Sequence, residues 1–470
     1  MDFTASNQDL WKYIIQLGFI SFIMIFANLL RRKIKFFRVF LLPTAVIGGF
    51  LGLALRNWGL ISLDIQFLEG ITYHMTGIGF IALALRSPAK SERGESASSG
   101  KDGINSGAFI VSNYLIQGIT GIGIMMILGY SFFPDIFKAG GIILPMGYGQ
   151  GPGQAYSVGN MYEQTFGFAG GASFGLAIAT MGMLWASIGG IIYLNVLAGK
   201  KRKNLDHADQ IRLDRIQEPV VSHMNEIPLT EAVDKFTIQM SFVFLVYLAT
   251  YLLAFGLTRL INNISALEGF GKSIIPLIWG FNFLIGSSLA LLLRGILAWL
   301  YKGKILKRKY TNNFLLNRIS GYAFDLMILA SISAISIKVL QKLWLPFILI
   351  TSFGGLVTLF YIKWMAKRIY PDYYLEGLLS MYGMMTGTVS TGILLLREVD
   401  PAFSTPASNN LVVGSSLAIV LGFPMLLMVG MAPQSNLMLW IVFFVCILYF
   451  IALNAFILWN RPKKKTENKK

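Results

Sequence analysis

"PMGYGQGPGQAYSVGN", Pro145 to Asn160, lies between two strongly apolar segments and holds five glycines, two prolines, Gln150, Gln154, Ser157 and Asn160, with no charged residue. Its reading decides the fold. Backbone that is not helical leaves N–H and C=O groups unpaired in hydrocarbon, at several kcal/mol each, and survives at membrane depth only inside protein or beside a wet cavity. Glycine admits positive φ and close chain approach. Pro145 and Pro152 each lack an amide donor. The stretch is therefore ill suited to crossing a bilayer and well suited to a re-entrant hairpin near 140–160 with a broken tip. Freed amides and a half-helix N-terminus at such a tip attract anions. The plain alternative is a Gly- and Gln-rich extracellular loop.

The surroundings set the class. Of 470 residues, 55% are hydrophobic and 13% charged, against about 25% charged in soluble domains; mean hydropathy is +0.61. Apolar runs of about 20 residues recur, each long enough to span a bilayer. They fall at Trp11–Leu30, Phe37–Leu55, Phe67–Leu85, Ala108–Tyr130, Phe168–Leu197, Phe236–Leu257, Ser273–Leu293, Ile319–Leu340, Leu345–Ile362, Ala407–Met431 and Leu437–Trp459. With the N-terminus outside and sides alternating, 33 of the 40 Lys and Arg fall on inside segments, as the positive-inside rule requires. The net charge of +17 thus reports topology and calls for no nucleic-acid partner. The expectation is a multi-pass membrane protein, with its N-terminus outside, its C-terminus cytoplasmic and no cleavable signal peptide. The one cysteine, Cys446, lies in the last span and forms no intrachain disulfide.

One polar segment divides the chain. Residues 199–235 read as a cytoplasmic linker between a first five-span half, 11–198, and a second, 236–432; 437–470 add an eleventh helix and the basic tail "RPKKKTENKK". An odd span count makes the second half enter the membrane from the opposite side. "LLPTAVIGGFLGLALR" (Leu41–Arg56) resembles "IIPLIWGFNFLIGSSLALLLR" (Ile274–Arg294), and Tyr148-Gly149 matches Tyr382-Gly383 at nearly the same offset. The latter pair opens "YGMMTGTVSTGILLLREVDP" (Tyr382–Pro401), a second Gly-containing polar stretch that predicts a second re-entrant hairpin near 375–396. Two such stretches at matching places argue against the loop alternative. The fold expected is all-α and polytopic, with two inverted five-helix repeats, each with a re-entrant hairpin, and an extra C-terminal transmembrane helix. Inverted repeats of this kind recur in secondary transporters. "SPAKSERGESASSGKDG" (Ser87–Gly103) reads as a mobile cytoplasmic loop.

These residues resemble the bacterial sodium/glutamate symporter family. "GYGQGPGQA" (Gly147–Ala155) looks like the family's Gly-x-Gly-His-Gly first-hairpin motif, with Gln150 in place of His, and "YGMMTGTVSTG" (Tyr382–Gly392) takes the place of its second hairpin. The similarity runs from about Trp11 to Met431. It implies a secondary transporter, a homodimer, related in fold to the citrate/hydroxycarboxylate carriers and working as an elevator. The second hairpin lacks the family's dense Gly-Ala-Thr-Pro run.

A sodium-coupled anion carrier needs hard oxygen ligands for the cation and N–H donors for carboxylates. The substrate candidates are Gly149, Gln150, Gly151, Gly153, Gln154, Thr386, Gly387, Thr388 and Asn410. The candidate Na+ ligands are Ser157, Asn160, Asp325, Ser390 and Thr391. The intramembrane ionisable residues are Glu69, His74 and Asp325; such groups usually face the protein interior or a cavity. His74 and Asp325 align between the halves, and Asp325 reads either as a cation ligand or proton carrier, or as a buried polar contact. Asn113, Gln117, Asn282, Asn409 and Asn410 are further intramembrane amides. Arg397 reads as a carboxylate acceptor or as a positive-inside anchor.

The leading reading is a secondary active transporter that imports L-glutamate by Na+ symport, with Na+ as coupling ion and no cofactor. Proton coupling, or another acidic amino acid or di- or tricarboxylate, is the near alternative, and a passive anion channel a more distant one. A channel calls for charge rings and a membrane enzyme for clustered His, Cys and carboxylates. The chain offers neither, and no P-loop for ATP.

Overall fold

The structure is a computed structural model and describes residues 7–86, 100–198, 232–263, 268–306, 308–400 and 405–460. Most of the expected linker 199–235, most of the Ser87–Gly103 loop and the basic tail lie outside the described residues; the last four linker positions, 232–235, are helical and open the helix Ala232–Asn263.

Every regular element described is helical. In chain order they are α1 (Gln8–Lys33), α2 (Lys35–Val39), α3 (Thr44–Asn57), α4 (Ile65–Leu85), α5 (Gly100–Ser131), α6 (Ile143–Pro145), α7 (Pro152–Phe166), α8 (Gly171–Leu184), α9 (Gly190–Ala198) and α10 (Ala232–Asn263). There follow α11 (Glu268–Gly280), α12 (Asn282–Lys302), α13 (Asn313–Ala334), α14 (Ile337–Lys342), α15 (Trp344–Ile369), α16 (Tyr374–Thr386), α17 (Val389–Arg397), α18 (Ala407–Leu421), α19 (Phe423–Met431) and α20 (Asn436–Trp459). A 3₁₀ turn, Lys138–Ile142, leads into α6, and π-helical turns occupy Met146–Gln150 and Trp185–Gly189.

Among the described residues nine helices are long and apolar enough to cross a membrane, or ten if the bent pair α18–α19 counts as one span. The sequence predicts eleven, and the differences have local causes. The expected span Phe37–Leu55 is instead the 14-residue α3, about 21 Å long at 1.5 Å per residue and short of a core about 30 Å thick. Leu41 takes φ +50° and Pro43 stands at the N-cap, so the helix cannot extend backwards. The expected span Ser273–Leu293 is interrupted between Gly280 and Asn282, with Pro276 inside α11. The Ala407–Met431 span bends by 50° around Gly422, just before Pro424.

The chain forms two compact units that draw on both halves of the sequence. One comprises residues 1–70, 91–191 and 328–470, the other residues 71–90 and 192–327. In the first, α5 packs along α15, α18 and α20. A buried polar knot ties three of these helices: Tyr361 OH donates to Ser112 Oγ at 2.6 Å and to Asn454 Oδ1 at 3.1 Å, while Asn454 Nδ2 donates to Ser112 at 2.8 Å. The α3 face with Gly49 and Gly52 lies against Ile332 and Ser333. There the Arg56 guanidinium donates to the carbonyls of Ala334 and Ile335, supplying partners that a helix end lacks.

The second unit has its own core of Ile78, Ile81, Ala82, Leu85, Val243, Val246, Ala290, Leu316, Ile319 and Ala323. Gly77 and Gly79 admit the rings of Tyr247 and Phe324. Arg294 donates to the carbonyls of Ala84 and Arg86 at 3.1 and 2.6 Å, closing the end of α4. His74 Nδ1 pairs with Tyr247 OH at 2.7 Å.

Candidate functional site

The stretch 145–160 breaks a helix, and its residues say how. Helical turns run from Lys138 to Gln150, widening from 3₁₀ to π as Pro145 removes a donor. Gly151 then takes φ +100°, ψ −178°, a conformation almost confined to glycine. Pro152 opens α7 at its first position, where the missing N–H costs nothing. The first bond of α7 is Ala155 N–H to Gly151 C=O, at 3.2 Å. The N–H groups of Gly153 and Gln154 precede it, and no side chain caps that end. The carbonyls of the π turn end at the same point.

A second break lies in the other half. Helix α16 ends at Thr386, Gly387 and Thr388 are non-helical, and α17 starts at Val389. Thr388 acts as N-cap: its Oγ1 accepts from Thr391 N–H at 3.3 Å and lies 3.1 Å from Thr391 Oγ1. Helices α16 and α17 fold back on each other so closely that a Cβ at Gly383 would stand 2.8 Å from Gly392 Cα.

The two breaks meet. A Cβ built on Gly151 would lie 3.9 Å from Thr388 Cγ2. Gly182 of α8 faces both, against the Thr386 carbonyl and the Tyr148 ring. Ala186, in the π turn after α8, lies against Gly387. Helix α5 grips both from another side. Tyr114 OH donates to Gly149 C=O at 3.2 Å, and Gln117 Nε2 donates to Met385 C=O and to Thr358 Oγ1, each at 2.9 Å. Tyr148 OH donates to Thr351 C=O at 2.6 Å and Tyr382 OH to Trp185 C=O at 3.1 Å. Thus two short, irregular segments are held from four directions.

Around this junction buried oxygens stand without partners: Gln117 Oε1, Gln154 Oε1 and Ser187 Oγ. Gln117 and Gln154 are 0% and 2% exposed. A buried polar atom left unpaired costs about 1–3 kcal/mol, and each of these three oxygens can accept from a donor or ligate a cation. The electrostatics are complementary. The N-termini of α7 and α17 present the positive ends of helix dipoles, and the C-terminal end of α16 presents carbonyl oxygens. Segments 103–131, 143–158, 171–191 and 380–395 contain no Asp, Glu, Lys or Arg, so the junction works with dipoles and neutral groups alone. Among the described residues no group of three or more His, Cys, Asp or Glu is placed to hold a metal ion. Hydroxyl, amide and backbone oxygens are the hard ligands that remain here.

Of the candidates from sequence, Gly149, Gln150, Gly151, Gly153 and Gln154 line the first break, and Thr386, Gly387 and Thr388 the second. Thr391 is buried beside Thr388, Ser157 is buried on α7, Asn160 is half-buried one turn later, and Ser390 is exposed. Asn410 is elsewhere: its Nδ2 donates to Tyr373 OH at 2.7 Å. That is the base of α16, 13 residues from the break, or about 20 Å along the helix. Asp325 belongs to the second unit, on an exposed position of α13. Glu69 is half-buried and faces Tyr156 OH at 3.5 Å. Three contributors carry no sequence signal that separates them from ordinary helix residues: Tyr114, Thr358 and Ser187. Gln117 is legible only as an amide in an apolar helix.

No curated protein and no solved structure matches the chain. The family described as sodium/glutamate symporter matches residues 13–270, more than half the chain. The match includes the first break and stops before the second, so it is shorter than the span from Trp11 to Met431 expected from sequence. The chain belongs to the sodium/glutamate symporter family.

Proposed function

We propose that the protein is a secondary active transporter that imports a small organic anion, L-glutamate first among them, in symport with Na+. One observation carries this reading. Two helix breaks from distant parts of the chain meet at Gly151 and Thr388, amid buried oxygens without partners. Each break acts as the tip of a re-entrant hairpin, the two entering from opposite faces of the membrane as part of inverted repeats.

The chemistry follows from the helix ends. The free amides of Gly153 and Gln154 at the start of α7, with the N-terminus of α17, receive substrate carboxylates as helix N-termini receive anions elsewhere. The carbonyls that close α16 and the π turn, with the hydroxyls of Thr388, Thr391 and Ser157, hold Na+. A cation beside an anion lowers the cost of bringing either into low dielectric. Each therefore raises the affinity of the other by the same factor, and that is symport at its thermodynamic root. Alternating access is of the elevator type, a substrate-carrying body moving past the rest of a homodimer. Asp325 and Asn410 stay outside this binding scheme.

The test is uptake of labelled L-glutamate into proteoliposomes under an inward Na+ gradient. Accumulation that collapses when K+ replaces Na+ is expected. Equal uptake in K+ overturns the ion, and no uptake of any acidic amino acid or dicarboxylate overturns the transport reading.

A further inference from the structure

We infer that the side-chain oxygen of Gln117 receives the ammonium group of an amino-acid substrate, and so is a determinant of amino acids over plain dicarboxylates. This rests on the transport reading above and goes beyond it to the chemistry of recognition.

The amide is fixed in one orientation. Gln117 Nε2 donates to Met385 C=O at 2.9 Å. A backbone carbonyl only accepts, so the nitrogen must point there and the oxygen the other way. A second bond, to Thr358 Oγ1 at 2.9 Å, holds the same nitrogen. The oxygen then faces the first break: a Cβ at Gly149 would lie 3.4 Å from Gln117 Oε1. This oxygen is fully buried and has no donor, although the side chain is anchored by two bonds. It is a preorganised acceptor in place before any ligand arrives.

Charge complementarity chooses the donor. The N-termini of α7 and α17 provide for negative groups. An acidic amino acid also carries one positive group, and the four segments around the junction contain no Asp or Glu to meet it. Neutral oxygens must meet it. Gln117 Oε1 is the one held between the breaks by a bond to one and a close approach to the other; Gln154 Oε1 and Ser187 Oγ are the further unpartnered acceptors. A dicarboxylate of the same length without the ammonium would leave Gln117 Oε1 still unpaired. The binding difference between the two ligands is therefore written on this atom.

The experiment uses the full chain, purified, with L-glutamate and glutarate as paired probes and Na+ alone as a third. In the wild type, L-glutamate should bind in Na+ with higher affinity than glutarate. In Gln117→Met, which keeps the volume and removes the acceptor, glutamate affinity should fall about tenfold, about 1.4 kcal/mol. Glutarate affinity and the midpoint for stabilisation by Na+ without substrate should stay within about threefold. An unchanged glutamate preference overturns the inference. A shifted Na+ midpoint with the preference kept also overturns it, and makes the oxygen a Na+ ligand. Should Gln117→Met not fold, Gln117→Asn decides, since the shorter amide cannot both bond Met385 C=O and present its oxygen to Gly149: an unchanged preference overturns the inference there too. A wild type that binds no L-glutamate in Na+ defeats the transport reading instead, so the two failures are told apart.

Discussion

Gly151 and Thr388 belong to opposite halves of the chain, and a Cβ on the first would touch the methyl of the second at 3.9 Å. Each ends a helix and starts another. Their meeting brings two helix N-termini and one carbonyl-bearing helix end to one place, inside a set of segments with no formal charge. On the proposed function, a charged solute is held there without charged side chains because helix ends carry about half an elementary charge each.

Gly151 holds φ +100°, so Gly151→Ala strains the first break whatever space surrounds it. The cost should be about 1–3 kcal/mol, and Na+-driven uptake should drop at least as steeply as the thermal midpoint. Gly18→Ala is the control: that residue is exposed in α1 with nothing within 4 Å. It should leave uptake alone and gain about 0.5–1 kcal/mol in helix stability. Equal effects of the two substitutions would remove the special status of Gly151.

Gly182 touches the Thr386 carbonyl and the Tyr148 ring, the latter 2.8 Å from a Cβ placed there. Gly182→Ala should push the two breaks apart, at about 1–3 kcal/mol of overpacking. The expected signature is a larger loss of substrate affinity than of folding stability, measured on the same preparation by ligand titration and thermal unfolding. Loss of stability with affinity intact is the contrary result.

Cys446 is the sole cysteine and is buried, so Cys446→Ala supplies a clean background. In it, Gln150→Cys and Thr388→Cys, both at half-buried positions, should react with a membrane-impermeant maleimide. Substrate with Na+ at about nine times its dissociation constant should slow the reaction about tenfold, in proportion to the unliganded fraction. Complete inertness of both in an actively transporting preparation would count against an accessible junction.

The Ser112–Tyr361–Asn454 knot gives α20 a stability role. Asn454→Leu leaves Ser112 Oγ and Tyr361 OH short of partners and should cost about 1–3 kcal/mol. Pairing it with Ser112→Ala in a double-mutant cycle should show coupling of about 0.5–3 kcal/mol. Additive effects would show that α20 is not held through this contact.

Much was legible in the amino-acid order. Apolar runs of bilayer length announce a polytopic membrane protein, because hydrocarbon tolerates little but regular helix or closed barrel. The Gly- and Pro-rich run 145–160 announces a break within it, and the structure sets that break at Gly151 and Pro152, which act locally on their own backbone. The Tyr382–Pro401 stretch announces the second, which the structure sets at Gly387 and Thr388. Span ends were less legible where a single proline shortens a helix, as Pro43 does for α3.

Partnership was the part that linear order left open. Asn410 follows the second break in sequence, yet it bonds Tyr373 at the base of α16. Gln117 lies in an unbroken helix and turns out to hold Met385. Backbone conformation follows from nearest neighbours, through φ preference and missing donors, and so can be read along the chain. Which buried oxygen faces which break depends on how α5, α8 and α15 pack around the junction. That packing is set by contacts between residues remote in the chain, such as Tyr148 with Thr351 and Gly182 with Thr386, which no local pattern encodes.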